Sequence, residues 1–320
     1  MLISLQETSK LIESGKVLHI AATEALLKKL PKGNWVGGST EYFVTETGGV
    51  VSNEQLSVME LPHGDFSIKA YGAAEIENVA ADAFDNGFSI VIVPFDSVVH
   101  KDYARNAPGY KDIFMKNTVG WISGMNLGVP GQTPIAVEGT TASAYSDKAV
   151  AIHLKVPDGK NVEVGIINIF TQDKSSPLIT FTKEGFSIET CLIDGKETVF
   201  ADYIAQNKID TKLPLVGDYA GNGVNVSFKS IENGVVNLYA PVFENIQYRI
   251  AKSIGDYENE FNSKLAPFKG KDSVFSCNCI LNFLYGNLEG KSLDAFFGPI
   301  TFGEIAYQLL NQTLVYVTVN

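Results

Sequence analysis

VFSCNCILNF, residues 274–283, sets Cys277 and Cys279 one residue apart inside an apolar run. A metal clip, a redox pair, a nucleophile and plain core are the readings open to it. If residues 274–279 are extended, Phe275, Cys277 and Cys279 point to one face and Ser276 and Asn278 to the other. A bridge between cysteines two positions apart would be strained. A zinc clip would need four nitrogen or sulfur ligands, usually with C-x₂-C spacing. A catalytic thiolate would need a positive neighbour, and the flanks supply none. Small buried cysteines on a core strand fit best, and a thiol lining a pocket comes second.

Outward from that strand, other segments read as strands: VLHIAAT (17–23), NWVGGSTEYFVT (34–45), FSIVIVPF (88–95), KAVAIHLKV (148–156) and TLVYVTV (313–319). Helical patterns are read at SLQETSKLIESGK (4–16), EALLKKL (24–30), AAEIENVAADAFDNG (73–87), ETVFADYIAQNKI (197–209), FENIQYRIA (243–251), DYENEFNSKL (256–265) and TFGEIAYQLLN (301–311). The stretch 100–148, rich in Gly, Pro, Ser and Asn, reads as mostly irregular. Asn233-Gly234 between VNVSFKSI and VVNLYAP is the strongest hairpin signal. The elements mix without strict β-α-β alternation. This predicts an α+β fold of mixed, largely antiparallel sheets flanked by helices. Two associated halves are expected, residues 1–209 and 210–320, with no internal repeat visible.

The chain has 320 residues, 45% hydrophobic residues, 19% charged residues and a net charge of −11. That is enough to bury a large core. The acidic balance excludes a nucleic-acid binder, which needs a basic stripe, and disfavours anionic membranes. No apolar run approaches the roughly 20 residues that span a bilayer. With no secretory leader and only 3 cysteines, a cytoplasmic location is expected.

Most motifs fail on spacing. Gly286-Asn-Leu-Glu-Gly290-Lys291-Ser292 has three residues between its glycines where a phosphate loop needs four. No dinucleotide fingerprint or nucleophile elbow is present. The four histidines, His19, His63, His100 and His153, show no metal-ligand spacing. His63 reads as part of a turn, and His19 and His153 as core histidines. Neither a metal nor a cofactor is expected. The glycine pair before Ser39 and Thr40 marks a bulge or a close backbone approach. There the two hydroxyls could hold a carboxylate or an amide. Trp35 beside them lines a pocket or fills core. Glu304 fits a capping box with Thr301 at a helix start, or faces a cavity and pairs with a ligand amine.

Several segments together resemble the C-terminal part of FIST proteins. They are LPLVGDYAGNGVNVSF, VVNLYAPVFENIQYRIA, VFSCNCILNFLYG and FFGPITFGEIAYQLLNQTLVYVTV. The matching features are Ser276-Cys277, Gly298 through Ile305, and Asn311-Gln-Thr313. WVGGSTEYF resembles the family's glycine-rich element. The likeness covers residues 212–320 well and the first half loosely. Many FIST proteins carry an arginine after the cysteine segment, and Cys277-Asn-Cys-Ile280 has none. The resemblance implies a sensory domain that binds a small ligand, such as an amino acid or similar metabolite, with a homodimer or a signalling protein as partner. The expected site residues are Ser39, Thr40 and Glu304, then Cys277, Asn278 and Trp35, in a pocket where the halves meet. Two competing expectations are a thiol- or hydroxyl-dependent hydrolase or transferase acting on a small amide or ester, with Cys277 as nucleophile and the GGST backbone as oxyanion site, and an interaction module without a ligand.

Overall fold

In a computed structural model, which describes residues 1–62, 64–293 and 295–320, the cysteine stretch is a strand, Phe275–Cys279, followed by a helix, Ile280–Tyr285. His63, expected in a turn, lies outside the described residues. The helix leads into the strand Gly298–Thr301, which pairs parallel to Phe275–Cys279. The same strand–helix–parallel strand unit occurs at Leu18–Ala22, Glu24–Leu27 and Trp35–Ser39. It occurs again at Gly87–Pro94, Val98–Asn106 and Asn117–Ser123.

Each parallel pair is the centre of one six-stranded sheet. On its first strand packs a later antiparallel strand: Gln55–Glu60, Ala149–Lys155 or Thr313–Val319. On its second strand packs a strand from another unit. The strand Tyr42–Thr45, which follows Trp35–Ser39, joins Gly298–Thr301. Ala136–Glu138, which follows Asn117–Ser123, joins Trp35–Ser39. Glu304–Ala306, which follows Gly298–Thr301, joins Asn117–Ser123. These segments therefore form a threefold structural repeat whose members exchange strands in a closed ring.

Residue chemistry repeats with it. Each second strand carries a glycine opposite its parallel partner. A Cβ on Gly37 would meet the Ile20 carbonyl oxygen at 2.9 Å, one on Gly120 the Val91 oxygen at 1.9 Å, and one on Gly298 the Ser276 oxygen at 2.6 Å. Three residues after each glycine stands a buried hydroxyl: Thr40, Ser123 and Thr301. The G-x-x-S/T spacing is too short and too common to have signalled a repeat in the sequence.

The chain forms two compact units, residues 1–167 with 262–309 and 313–320, and residues 168–261 with 310–312. The division expected at 209/210 instead falls inside the smaller unit, just after its helix Phe200–Gln206. That unit is a segment inserted into the third repeat. It holds an antiparallel six-stranded sheet and a three-stranded one. Its core is an aromatic cluster of Phe181, Phe200, Phe228 and Tyr248. Its hairpin turns at Asn233-Gly234, both with positive φ, as a tight two-residue loop requires.

The α+β class holds, with sheets mixed in the larger unit and antiparallel in the smaller one. Three expected helices do not form as read. Residues 301–311 make the strands Glu304–Ala306 and Gln308–Leu310. Ile305, Ala306, Leu309 and Leu310 are all buried, so apolar spacing says nothing about period here. Residues 73–87 make turns around a single 3₁₀ turn, Ile76–Asn78. There the Asn78 side chain donates to the Glu75 carbonyl, and such local bonds compete with a helix. Residues 243–251 turn at Asn245 (φ 64°) and give the strand Gln247–Ile250. Conversely, the strand Asn117–Ser123 lies at a sheet centre within a stretch read as irregular. Gly120→Ala should lower the unfolding free energy by about 3 kcal/mol in urea titration, because its methyl would enter a backbone carbonyl.

Candidate functional site

The expected strand 34–45 is broken at Thr40-Glu41, where the chain leaves one sheet for another. A cavity of about 330 Å³ opens at that break. The first repeat supplies Thr23, Glu24, Ala25, Ser39, Thr40, Glu41 and Asn53 to its wall. The second repeat supplies Gly124, Met125, Gln132 and Thr133. All belong to the larger unit. The site lies beyond the carboxyl ends of parallel strands, where open α/β sheets commonly bind ligands.

Ser39 and Thr40 are here, but their hydroxyls are engaged. Ser39 Oγ donates to the Gly124 carbonyl at 2.7 Å and accepts from the Ile135 N–H at 2.9 Å. Thr40 Oγ1 donates to the Ile300 carbonyl at 2.7 Å and accepts from the Tyr42 N–H at 3.2 Å. They fasten the meeting strand ends and shape the cavity. The expectation that they donate to a ligand is corrected accordingly.

Glu41 is 8% exposed. Its Oε2 accepts from Asn126 Nδ2 at 2.7 Å and its Oε1 from Gln132 Nε2 at 3.3 Å. Both carboxamides come from the loop after Asn117–Ser123. That loop is closed by Asn126 N–H donating to Gln132 Oε1 at 2.7 Å and Leu127 N–H donating to Tyr42 Oη at 3.0 Å. Sequence reading missed Glu41, Gln132 and Thr133. The one available signal was Glu41's position directly after the GGST element.

The other expected residues do not line this cavity. Trp35 is fully buried, packs in a core cluster with Leu18, Ile20 and Leu27, and donates its Nε1–H to the Pro31 carbonyl at 2.9 Å. Cys277 is 2% exposed, with its sulfur 3.5 Å from the Gly120 carbonyl oxygen. Burial, with Glu304 nearby, holds its thiol well above the usual range. Asn278 is equally buried, and its Oδ1 accepts from Asn282 Nδ2 at 2.8 Å.

Glu304 is fully buried on a strand opposite Trp121, not at a helix start. The Thr301–Glu304 contact expected of a capping box does exist, at 2.9 Å, but in extended chain. Thr313 donates its N–H at 3.2 Å and its hydroxyl at 2.9 Å to Oε2, and the Cys279 thiol also bonds the carboxyl. Burial pushes the acid up from 4.5 to about 8 against the pull of these donors. Thr301 Oγ1 also lies 3.2 Å from the Asn278 carbonyl oxygen. A protonated Glu304 donating to Thr301 while Thr301 donates to Asn278 satisfies all three groups.

A second polar chain resembles hydrolase machinery. Ser89 Oγ and His153 Nδ1 are 2.7 Å apart, His153 Nε2 and Tyr71 Oη 2.8 Å, and Tyr71 donates to Asp82 at 2.9 Å. Ser89 is fully buried and burial lowers His153 to about 4. The chain ties three neighbouring strands together and offers no accessible nucleophile. His19, likewise lowered to about 3 by burial, accepts from the Trp121 indole at 2.8 Å. Both are core histidines, as expected. Among the described residues no cluster of three or more His, Cys, Asp or Glu is placed to hold a metal, and no helix is long and apolar enough to cross a membrane.

The raised Glu304 acid sets a sign for stability. The unfolded chain loses this proton above about 4.5 and the folded chain only near 8. Its contribution is therefore complete below pH 4.5 and declines as pH rises to 8. Relative to Glu304→Gln, the natural protein should lose about 1.4 kcal/mol per pH unit across that window, read by denaturant titration at pH 5, 6, 7 and 8. All three cysteines are buried, and burial pushes the Cys191 thiol up to about 12. An Ellman reagent should therefore modify none of them in the folded protein at a free-thiol rate.

No curated protein and no solved structure matches the chain. One family model matches residues 3–320. On that match the chain belongs to the family of unknown function DUF6976.

Proposed function

We propose that this chain is a small-ligand-binding protein whose site is the cavity at the Thr40-Glu41 break. The observation that carries the reading is a cavity of about 330 Å³, lined mainly by residues with polar side chains, at the carboxyl ends of parallel strands and walled by two repeats. That volume is at the low end for ligand sites, so the ligand is a small metabolite. The wall is fixed by the Ser39 and Thr40 bonds, so little ordering cost falls on binding. Ligand chemistry meets Glu41, Gln132, Asn53 and Thr133. The last two side chains are exposed.

The resemblance to FIST proteins supports a sensory role in the cytoplasm, with a small metabolite as ligand and a second copy or a signalling protein as partner. The thiol-dependent alternative finds no support, since Cys277 is buried and its thiol raised.

A thermal-shift panel of amino acids, amines, sugars and nucleosides tests the proposal. A ligand at 100 times its Kd should add about 2.7 kcal/mol of stability. Thr133→Trp, a bulky change at an exposed wall position, should abolish the shift and leave the unliganded melting temperature within a degree or two. A shift that survives Thr133→Trp would assign the ligand to another place, and a flat panel would remove the reading.

A further inference from the structure

Two carboxylates line the cavity, and they differ in burial and in pairing. Glu24 is half exposed and paired with Lys28 at 2.5 Å. Glu41 is buried, and among the described residues no Lys, Arg or His forms an ion pair with it. Its partners are the neutral carboxamides of Asn126 and Gln132, one on each oxygen. A carboxylate has about four acceptor positions, so each oxygen retains capacity for another donor. Buried charges are normally matched by opposite charge, because desolvation is costly. No residue in the cavity wall is basic.

From this geometry we infer that the cavity selects a small organic cation, a primary amine or guanidinium whose charged group is received by Glu41. The inference rests on the reading of this cavity as a ligand site and goes further than it. A zwitterionic α-amino acid is the wrong ligand. Its carboxylate, two bonds from its ammonium, would be held in a small cavity beside Glu41, with no basic residue in the wall to receive it. Like charges at such separations repel strongly in a partly desolvated site. The matching amine without the carboxylate keeps the attraction and loses the repulsion. Asn53 and Thr133, whose side chains make no hydrogen bond among the described residues, suit the neutral remainder of such a molecule.

The test uses compounds that differ only by that carboxylate: putrescine against ornithine, agmatine against arginine, histamine against histidine. Titration calorimetry with the full chain should show at least one amine binding ten or more times more tightly than its amino acid. Glu41→Gln should weaken that amine at least tenfold. Glu54→Gln, an exposed acid outside the wall, controls for net charge and should change binding less than threefold. The unliganded melting temperature of Glu41→Gln reports folding, and the paired compounds on the natural protein do not depend on that variant. An amino acid that binds as tightly as its amine, or an amine whose binding ignores Glu41→Gln, overturns the inference. If none of the six compounds binds, the cation assignment falls. A neutral compound giving a Thr133→Trp-sensitive thermal shift would then still uphold the cavity as a ligand site, and its absence would remove both.

Discussion

The exchange of strands between repeats is the constraint on which the larger unit depends. A parallel pair joined by a short helix has two open edges, and unpaired edges are costly or prone to aggregation. In each repeat the later antiparallel strand covers one edge. The other is covered by a strand from a different repeat. None of the three parallel pairs is completed by its own repeat alone. Because the exchange closes on itself, removing any one repeat leaves an edge open in its neighbour.

That closure brings the carboxyl ends of strands together, and the chemistry there follows from it. Strand ends leave backbone groups without ladder partners, and buried ones must be satisfied. Ser39 and Thr40 take on part of that task, bonding to the Gly124 and Ile300 carbonyls and so linking the first repeat to the second and third. Thr301 bonds within the third repeat, to Asn278 and Glu304. Hydroxyls that look like ligand donors in the sequence are therefore consumed in joining the repeats. The residue just beyond the joint, Glu41, lines the cavity and is held by a loop of the second repeat.

The buried polar groups divide along the same lines. Glu304, His19 and His153 sit in the core, where burial drives each toward its neutral form. Glu41 sits at the edge of a cavity, and its oxygens meet only carboxamides. The two glutamates show how little a residue type reveals without its surroundings. One is a neutral strut in the core, the other a carboxyl at a cavity wall held by two carboxamides.

Residue pattern alone determined the α+β class, the Asn233-Gly234 hairpin, the core strands and the burial of the cysteines. Each of these depends on local conformational preference or on apolar content, which neighbours along the chain report. Trp35 likewise read as core or pocket from its apolar surroundings, and packing resolved it as core. Only the tertiary structure decided the threefold repeat, the strands at 117–123 and 304–310, the inserted smaller unit and the placement of Glu41. Strand pairing is set by partners far away in the chain, and a segment buried on both faces carries no period to betray its form. Glu41 became visible only when the hairpin exchange carried the chain across from one sheet to the next and set it against Asn126 and Gln132, 85 and 91 positions away.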